Sequence, residues 1–323
     1  MCTRVLWNSN DLAVLTGRSM DWPESTEPLI VAFPAGRSRD GGLLAGHPVV
    51  AENPLRWTSR YASLATTVYG LGTVDGINSE GLGVHALYLR STAVGPRNPE
   101  LPGLHTGVWA QYLLDQAATV EQALALMDGV QLVMVGARGR EATLHLAIED
   151  ASGDSAILEM ASGKLVVHHG RQYTLMTNDP TYDEQLALLA EQDFSHPSRE
   201  LPLPGNVNPV DRFQRAAYYS ALLPEPANIR QAVAGVMAIM RNVSVPFGAP
   251  YGDFGVYNTE YRTVSDLTQR LYFFELSTSP STLWVEFDRL ALHAGGQTLA
   301  IDPYDESLVG NVTERFTPRD IAF

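Results

Sequence analysis

Cysteine is nearly missing from this chain: Cys2 is the only one in 323 residues. A single cysteine excludes any disulfide within the chain, so cysteine usage does not place the protein in an oxidising compartment. Basic runs are missing as well. With a net charge of −14 and no Lys/Arg-rich stretch, the sequence offers no phosphate-binding surface, which excludes nucleic acid as a partner. No apolar run approaches the ~18–20 residues that span a bilayer, so membrane insertion is not expected. The first twenty residues mix charge and polarity throughout, unlike a signal peptide. The expected location is therefore cytoplasmic, although a mature periplasmic chain given a new start Met would read the same way. Gly70, Gly72 and Gly76 match neither the dinucleotide nor the Walker spacing, and no cysteine or carboxylate is spaced to make His168-His169 a zinc site. No metal and no cofactor are expected.

What the chain does contain is an ordinary globular composition, 45% hydrophobic and 18% charged. Thr3–Trp7 and Leu12–Thr16 read as strands of a hairpin about the turn cluster Asn8-Ser9-Asn10-Asp11. Leu29–Phe33, Ala62–Tyr69 and Leu82–Leu89 read as further strands. The last two are joined through a turn at Asp75-Gly76-Ile77-Asn78, and residues 36–46 read as loop. Helical periodicity follows at Val108, Tyr112 and Leu113, and again after the N-cap candidate Thr119. Strands resume at Thr143–Ile148, Ser155–Glu159, Leu165–His168 and Tyr173–Met176. Helices are predicted at Thr181–Glu191, Val210–Leu222 and Ile229–Met240, then strands at Arg262–Val264, Leu271–Glu275 and Leu283–Phe287. No repeat, linker or boundary interrupts the pattern. Strands, then helices, then strands again fit a single α+β domain over residues 2–323, with helices covering sheet faces. His85 and His145 read as structural histidines.

The position of Cys2 carries the chemistry. Loss of Met1 would give it a free α-amine, a group that titrates near ~8 and is partly a base at neutral pH. A thiol with its own base attached is a self-contained nucleophile suited to acyl transfer. The hairpin return brings Arg18 and Asp21 back towards Cys2. There a guanidinium would favour the thiolate, and a carboxylate would orient the amine. From spacing alone, Arg18 and Asp21 read rather as a surface pair after a strand.

These residues resemble a known family. Cys2-Thr3-Arg4 followed by Arg18-Ser19-Met20-Asp21-Trp22 is similar to the start of the choloylglycine hydrolases, N-terminal-nucleophile amidohydrolases that include bile salt hydrolases and penicillin V acylases. The resemblance continues through Asp75–Leu82, Met176–Asp183, Asp211-Arg212-Phe213 and Asn242–Pro246. It implies Cys2 as nucleophile, Arg18, Asp21 and Arg212 as the charged catalytic cluster, and Asn178 and Tyr88 as oxyanion-hole positions. Tyr88 and Trp22 would wall the acyl pocket, as in the Gram-negative penicillin V acylase branch. Without the resemblance, Asn178 reads as a turn or N-cap residue, Arg212 as a salt-bridge partner, and both aromatics as core. The implied fold is a four-layer αββα sandwich with two antiparallel sheets. The implied activity is hydrolysis of a small-molecule linear amide, penicillin V acylase-like, with N-acyl homoserine lactones as another substrate class. Bile salt hydrolysis, acyl transfer from the same acyl-enzyme and a non-catalytic binding module are the alternatives. The family often forms tetramers, so a homo-oligomer, tetramer or dimer, is expected. The short connection from Asn178 to Arg212 counts against the tetramer.

Overall fold

An N-terminal hairpin carries Cys2 into the seven-stranded sheet of the molecule. In the computed structural model, which describes residues 1–250 and 255–323, β1 (Cys2–Trp7) pairs antiparallel with β2 (Leu15–Trp22). Cys2 lies opposite Met20 and Arg4 opposite Arg18. Asn10 Oδ1 accepts from the N–H groups of Leu12 and Ala13 and holds the turn. The second strand consequently starts later than the apolar run at Leu12 suggests, and it extends far enough to carry Arg18 and Asp21.

The hairpin lies in a seven-stranded sheet. Leu175–Met176 flanks β1, and Asn258–Asp266, Leu271–Leu276, Thr282–Glu286 and Gly310–Asn311 continue outward from β2. A nine-stranded sheet faces it, in the order Lys164–His169, Ser155–Ala161, Leu144–Glu149, Gly83–Tyr88, Gly72–Asn78, Ser63–Val68, Ile30–Phe33, Leu299–Ile301, Thr317–Pro318. Among the described residues, the two sheets are antiparallel except where Gly310–Asn311 joins Thr282–Glu286.

The period-2 alternation of the strands decides what each face meets. On Gly83–Tyr88, Val84 and Ala86 pack with Trp109 and Leu113 of α1 (Trp109–Gln116). Leu87 turns instead to the core shared with the facing sheet, alongside Val5, Leu64, Ile77 and Ala147. On the far side of the seven-stranded sheet lie α4 (Pro209–Ala221) and α5 (Ile229–Asn242). Gly17 permits their close approach, since a Cβ there would stand 2.6 Å from Met240 Cγ and 2.7 Å from Val236 Cγ1. Helix, sheet, sheet, helix is the four-layer αββα sandwich of N-terminal-nucleophile hydrolases. Two shorter helices complete the set: α2 (Val120–Leu126), capped as expected by Thr119, and α3 (Tyr182–Ala190).

Three readings of the sequence need correction. Asp75–Asn78 is not a turn but the end of the strand Gly72–Asn78, and Gly76 is there because the backbone of Leu64 and Ala65 leaves no room for a Cβ. The stretch 36–46 contains the short strand Ser38–Asp40, paired with Arg56–Thr58, and the pair Leu43–Leu44 with His47–Pro48. The C-terminal segments Leu299–Ile301, Gly310–Asn311 and Thr317–Pro318 add strands too short to show periodicity. No described helix is long and apolar enough to cross a membrane.

Candidate active site

The pleat of the hairpin sorts the site residues into two groups. Cys2, Arg4, Arg18, Met20 and Trp22 share the face towards the second sheet, and Thr3 and Asp21 share the face towards α4. Cys2 Sγ opens into a cleft lined by Arg18, Met20, Trp22, Val68, Ala86 and Tyr88, among others. Arg18 Nη2 lies 3.6 Å from Sγ, and Met20 Sδ lies 3.8 Å from it. Arg18 is fully buried. It donates from Nη1 to Tyr261 Oη at 2.8 Å and from Nη2 to the Ala86 carbonyl at 3.3 Å. Burial works against its charge, but Tyr261, Cys2 and Asp75 more than offset this, so the guanidinium stays protonated.

On the other face Arg212, in the first turns of α4, reaches back to β1. Its Nη1 donates to the Cys2 carbonyl at 2.6 Å and to Thr3 Oγ1 at 2.5 Å, and its Nη2 to Asn178 Oδ1 at 3.0 Å. Asp21 Oδ2 lies 3.3 Å from Arg212 Nη1, and Asp21 Oδ1 accepts from Thr259 Oγ1 at 2.6 Å. Helix α4 starts correctly because Asn208 caps it, with Pro209 in its first turn, and this fixes where Arg212 points.

Asn178 joins the two groups. Its Oδ1 accepts from the backbone N–H of Cys2 at 2.6 Å, and its Nδ2 donates to the Tyr88 carbonyl at 2.6 Å. It is not a helix cap: Thr181 caps α3, in a capping box with Glu184. The ring centroids of Tyr88 and Trp22 are 5.8 Å apart, and the two rings form one wall of the cleft. Trp22 Nε1 donates to Tyr69 Oη, which donates in turn to Glu24 at 2.9 Å and so fixes the Trp ring. Burial, helped by Glu24, pushes the Tyr69 phenol up to about 12 and keeps it a donor. Met1 is buried next to this site, and burial pushes its amine below the ordinary value.

All seven sequence-predicted residues (Cys2, Arg18, Asp21, Trp22, Tyr88, Asn178 and Arg212) are thus brought together. Sequence reasoning gave no role to Met20, although it stands between Arg18 and Asp21. It also missed Thr3, Thr259 and Tyr261, buried partners that only strand register places here. His85 and His145, read from the sequence as structural histidines, are both buried and hydrogen-bonded. Among the described residues, no group of three or more His, Cys, Asp or Glu is arranged to hold a metal ion.

A sandwich of this kind with a cysteine opening β1, beside the short edge strand Leu175–Met176, defines the class, an N-terminal-nucleophile amidohydrolase fold. Comparison with known proteins narrows it. The sequence profile of the linear amide C–N hydrolases, choloylglycine hydrolase family, matches residues 2–302. Penicillin V acylase from Pectobacterium atrosepticum is 35% identical, the match covering 93% of this chain and 84% of the relative. A bile salt hydrolase/transferase from Bifidobacterium longum is 24% identical, with 78% and 84% covered. The solved structure of penicillin V acylase from Agrobacterium tumefaciens superposes with a TM-score of 0.88 at 36% identity, covering 99% of this chain and 98% of that one. A C2A mutant of the conjugated bile acid hydrolase from Clostridium perfringens shares the fold, with a TM-score of 0.81 at 20% identity over 96% and 98% of the chains. The chain belongs to the choloylglycine hydrolase family and is a linear amide C–N hydrolase of the penicillin V acylase and bile salt hydrolase type.

Proposed function

We propose that residues 2–323 form one catalytic domain that cleaves amides of apolar acyl groups, with Cys2 as nucleophile once Met1 is lost. The observation that carries this reading is the Cys2 sulfur at the floor of a mostly apolar cleft, beside Arg18. The α-amine of Cys2, directly or through water, takes the Sγ proton. The thiolate attacks the acyl carbon, and the carbonyl oxygen becomes an oxyanion facing Asn178 Nδ2 and the Tyr88 position. One donor of this kind is worth ~10²–10³ in rate. The C–N bond then breaks, the amine leaves with a proton, and the thioester remains on Cys2. Water attacks the thioester, releasing the carboxylic acid and restoring the thiol.

Asp21 and Arg212 would hold the new terminus. Apart from the 3.3 Å ion pair with Arg212, Asp21 Oδ2 accepts no hydrogen bond among the described residues while Met1 is in place, and it suits an ammonium as a further partner. A buried Met1 amine is costly, which fits its removal.

The Trp22–Tyr88 wall favours an aryl acyl group such as the phenoxyacetyl of penicillin V. An alkyl chain, as in an N-acyl homoserine lactone, would use the same apolar length, and bile salts rank third. Amine release from penicillin V, measured after intact mass shows that Met1 is gone, tests the reading. Release is the expected result. No release from processed enzyme would move the assignment to long-chain acyl homoserine lactones and then to bile salts. Formation of a new amide when a nucleophilic amine is added would instead identify an acyltransferase.

A further inference from the structure

Behind Arg18, between the sheets, lies a buried set of charges that the mechanism above does not use. Arg4 and Arg18 stand directly opposite each other on β1 and β2, both fully buried. Like charges so placed repel, and in the interior they need anions close by. The facing sheet supplies two. Glu149 accepts from Arg4 Nη2 at 2.5 Å, and burial, which would raise its carboxyl, is overcome by Arg4 and His85, which bring it to about 2. Asp75 accepts from Tyr272 Oη at 2.5 Å and from Thr263 Oγ1 at 2.8 Å, and Thr263 is the residue opposite Arg18 on the next strand. His85 stands between the carboxylates, with Nδ1 on Asp75 and Nε2 on Glu149.

A histidine with an ionised carboxylate on each ring nitrogen has to carry both protons. Burial opposes that charge, but Glu149 and Asp75 prevail and lift His85 to about 9. The set then holds three cations, Arg4, Arg18 and His85, against two anions, Asp75 and Glu149. One positive charge is left over, and the member nearest the nucleophile is Arg18, 3.6 Å from Cys2 Sγ.

We propose that His85 is a positioning residue for Cys2: its imidazolium supplies the surplus positive charge that Arg18 presents to the sulfur, which favours the attacking thiolate. This rests on Cys2 being the nucleophile. The other charged or titratable groups around Cys2 are Asp21 of β2 and Arg212 of α4, which pair with each other, Tyr261 of the neighbouring strand, the residue's own amine, and, lining the cleft into which Cys2 opens, Glu24, Tyr69, Tyr88, Arg140 and Glu141.

The test is the pH dependence of Cys2 alkylation by iodoacetamide in processed wild-type and His85→Gln enzyme, with penicillin V turnover followed in parallel. The expected result is a His85→Gln profile moved up by about one pH unit, a roughly tenfold slower alkylation at pH 7, with kcat reduced and KM little changed. An unmoved profile, in enzyme that alkylation inactivates, would overturn the proposal and leave the nucleophile standing. Activity that survives complete alkylation would overturn the nucleophile and the proposal together. Should His85→Gln not fold, the ¹⁵N spectrum of His85 in the wild-type enzyme decides. An imidazolium at pH 7.5 is expected, and a neutral ring there would overturn the proposal.

Discussion

The two faces of the β1–β2 hairpin differ in what they leave unfinished. On the cleft face the Cys2 sulfur meets Arg18 at 3.6 Å and Met20 at 3.8 Å, and beyond them is open, mostly apolar space. On the helix face Arg212 alone holds the Cys2 carbonyl, Thr3, Asn178 and Asp21, all of them buried. The cleft face is arranged around an atom that must react, and the helix face around a backbone that must not move. Catalysis by a chain terminus needs both, because a terminus is ordinarily the least ordered part of a domain.

That contrast can be broken from either side. Cys2→Ala should abolish turnover while leaving thermal unfolding almost unchanged, checked by amine release and a melting curve on the same sample. Arg212→Ala should do the reverse in kind. It removes the guanidinium of a buried ion pair with Asp21 and the hydrogen bonds to the Cys2 carbonyl, Thr3 and Asn178, so a stability loss of about 3–5 kcal/mol is expected by denaturant titration, together with lost activity. Asn178→Ala, at the junction of the faces, should cost ~10²–10³ in kcat with a smaller change in KM. Equal loss in kcat and stability across all three variants would erase the distinction between the faces.

The smallest expected effect is on stability against pH. Glu149, held down at about 2 from an ordinary 4.5, contributes stability that is present above pH 4.5 and lost as the pH falls through 2. His85, raised from 6.5 to about 9, contributes stability that is complete below pH 6.5 and lost as the pH rises through 9. The Tm of the wild-type enzyme should therefore be flat between pH 4.5 and 6.5 and decline on either side. His85→Gln should lack the alkaline decline near pH 9.

Much of this was legible in the sequence, for definite reasons. The hairpin, the α+β order and the helices α3, α4 and α5 follow from turn residues, caps and apolar spacing. Of the residues around Cys2, Arg18 and Asp21 followed from the hairpin return, whereas Asn178, Arg212, Tyr88 and Trp22 came only from the resemblance to the choloylglycine hydrolases, because nothing local in the sequence shows that they meet. Asp75 was misread because Asp-Gly and Asn are ordinary turn residues. Only the neighbouring strand, whose backbone crowds Gly76, makes the segment extended. The Arg4–Glu149–His85–Asp75 set was invisible for a related reason. Its members lie on four strands of two sheets, and no local pattern records which charges face each other across a core. Tyr261 and Thr259 escaped notice for the same reason.

The most direct test of the account is the mass of the acyl-enzyme. Processed protein would be mixed with penicillin V, quenched in acid and mapped by peptide mass spectrometry. The account expects a chain that begins at Cys2 and carries the phenoxyacetyl group as a thioester on that residue. Turnover by a chain that retains Met1, or an acyl group found on any other residue, would contradict it.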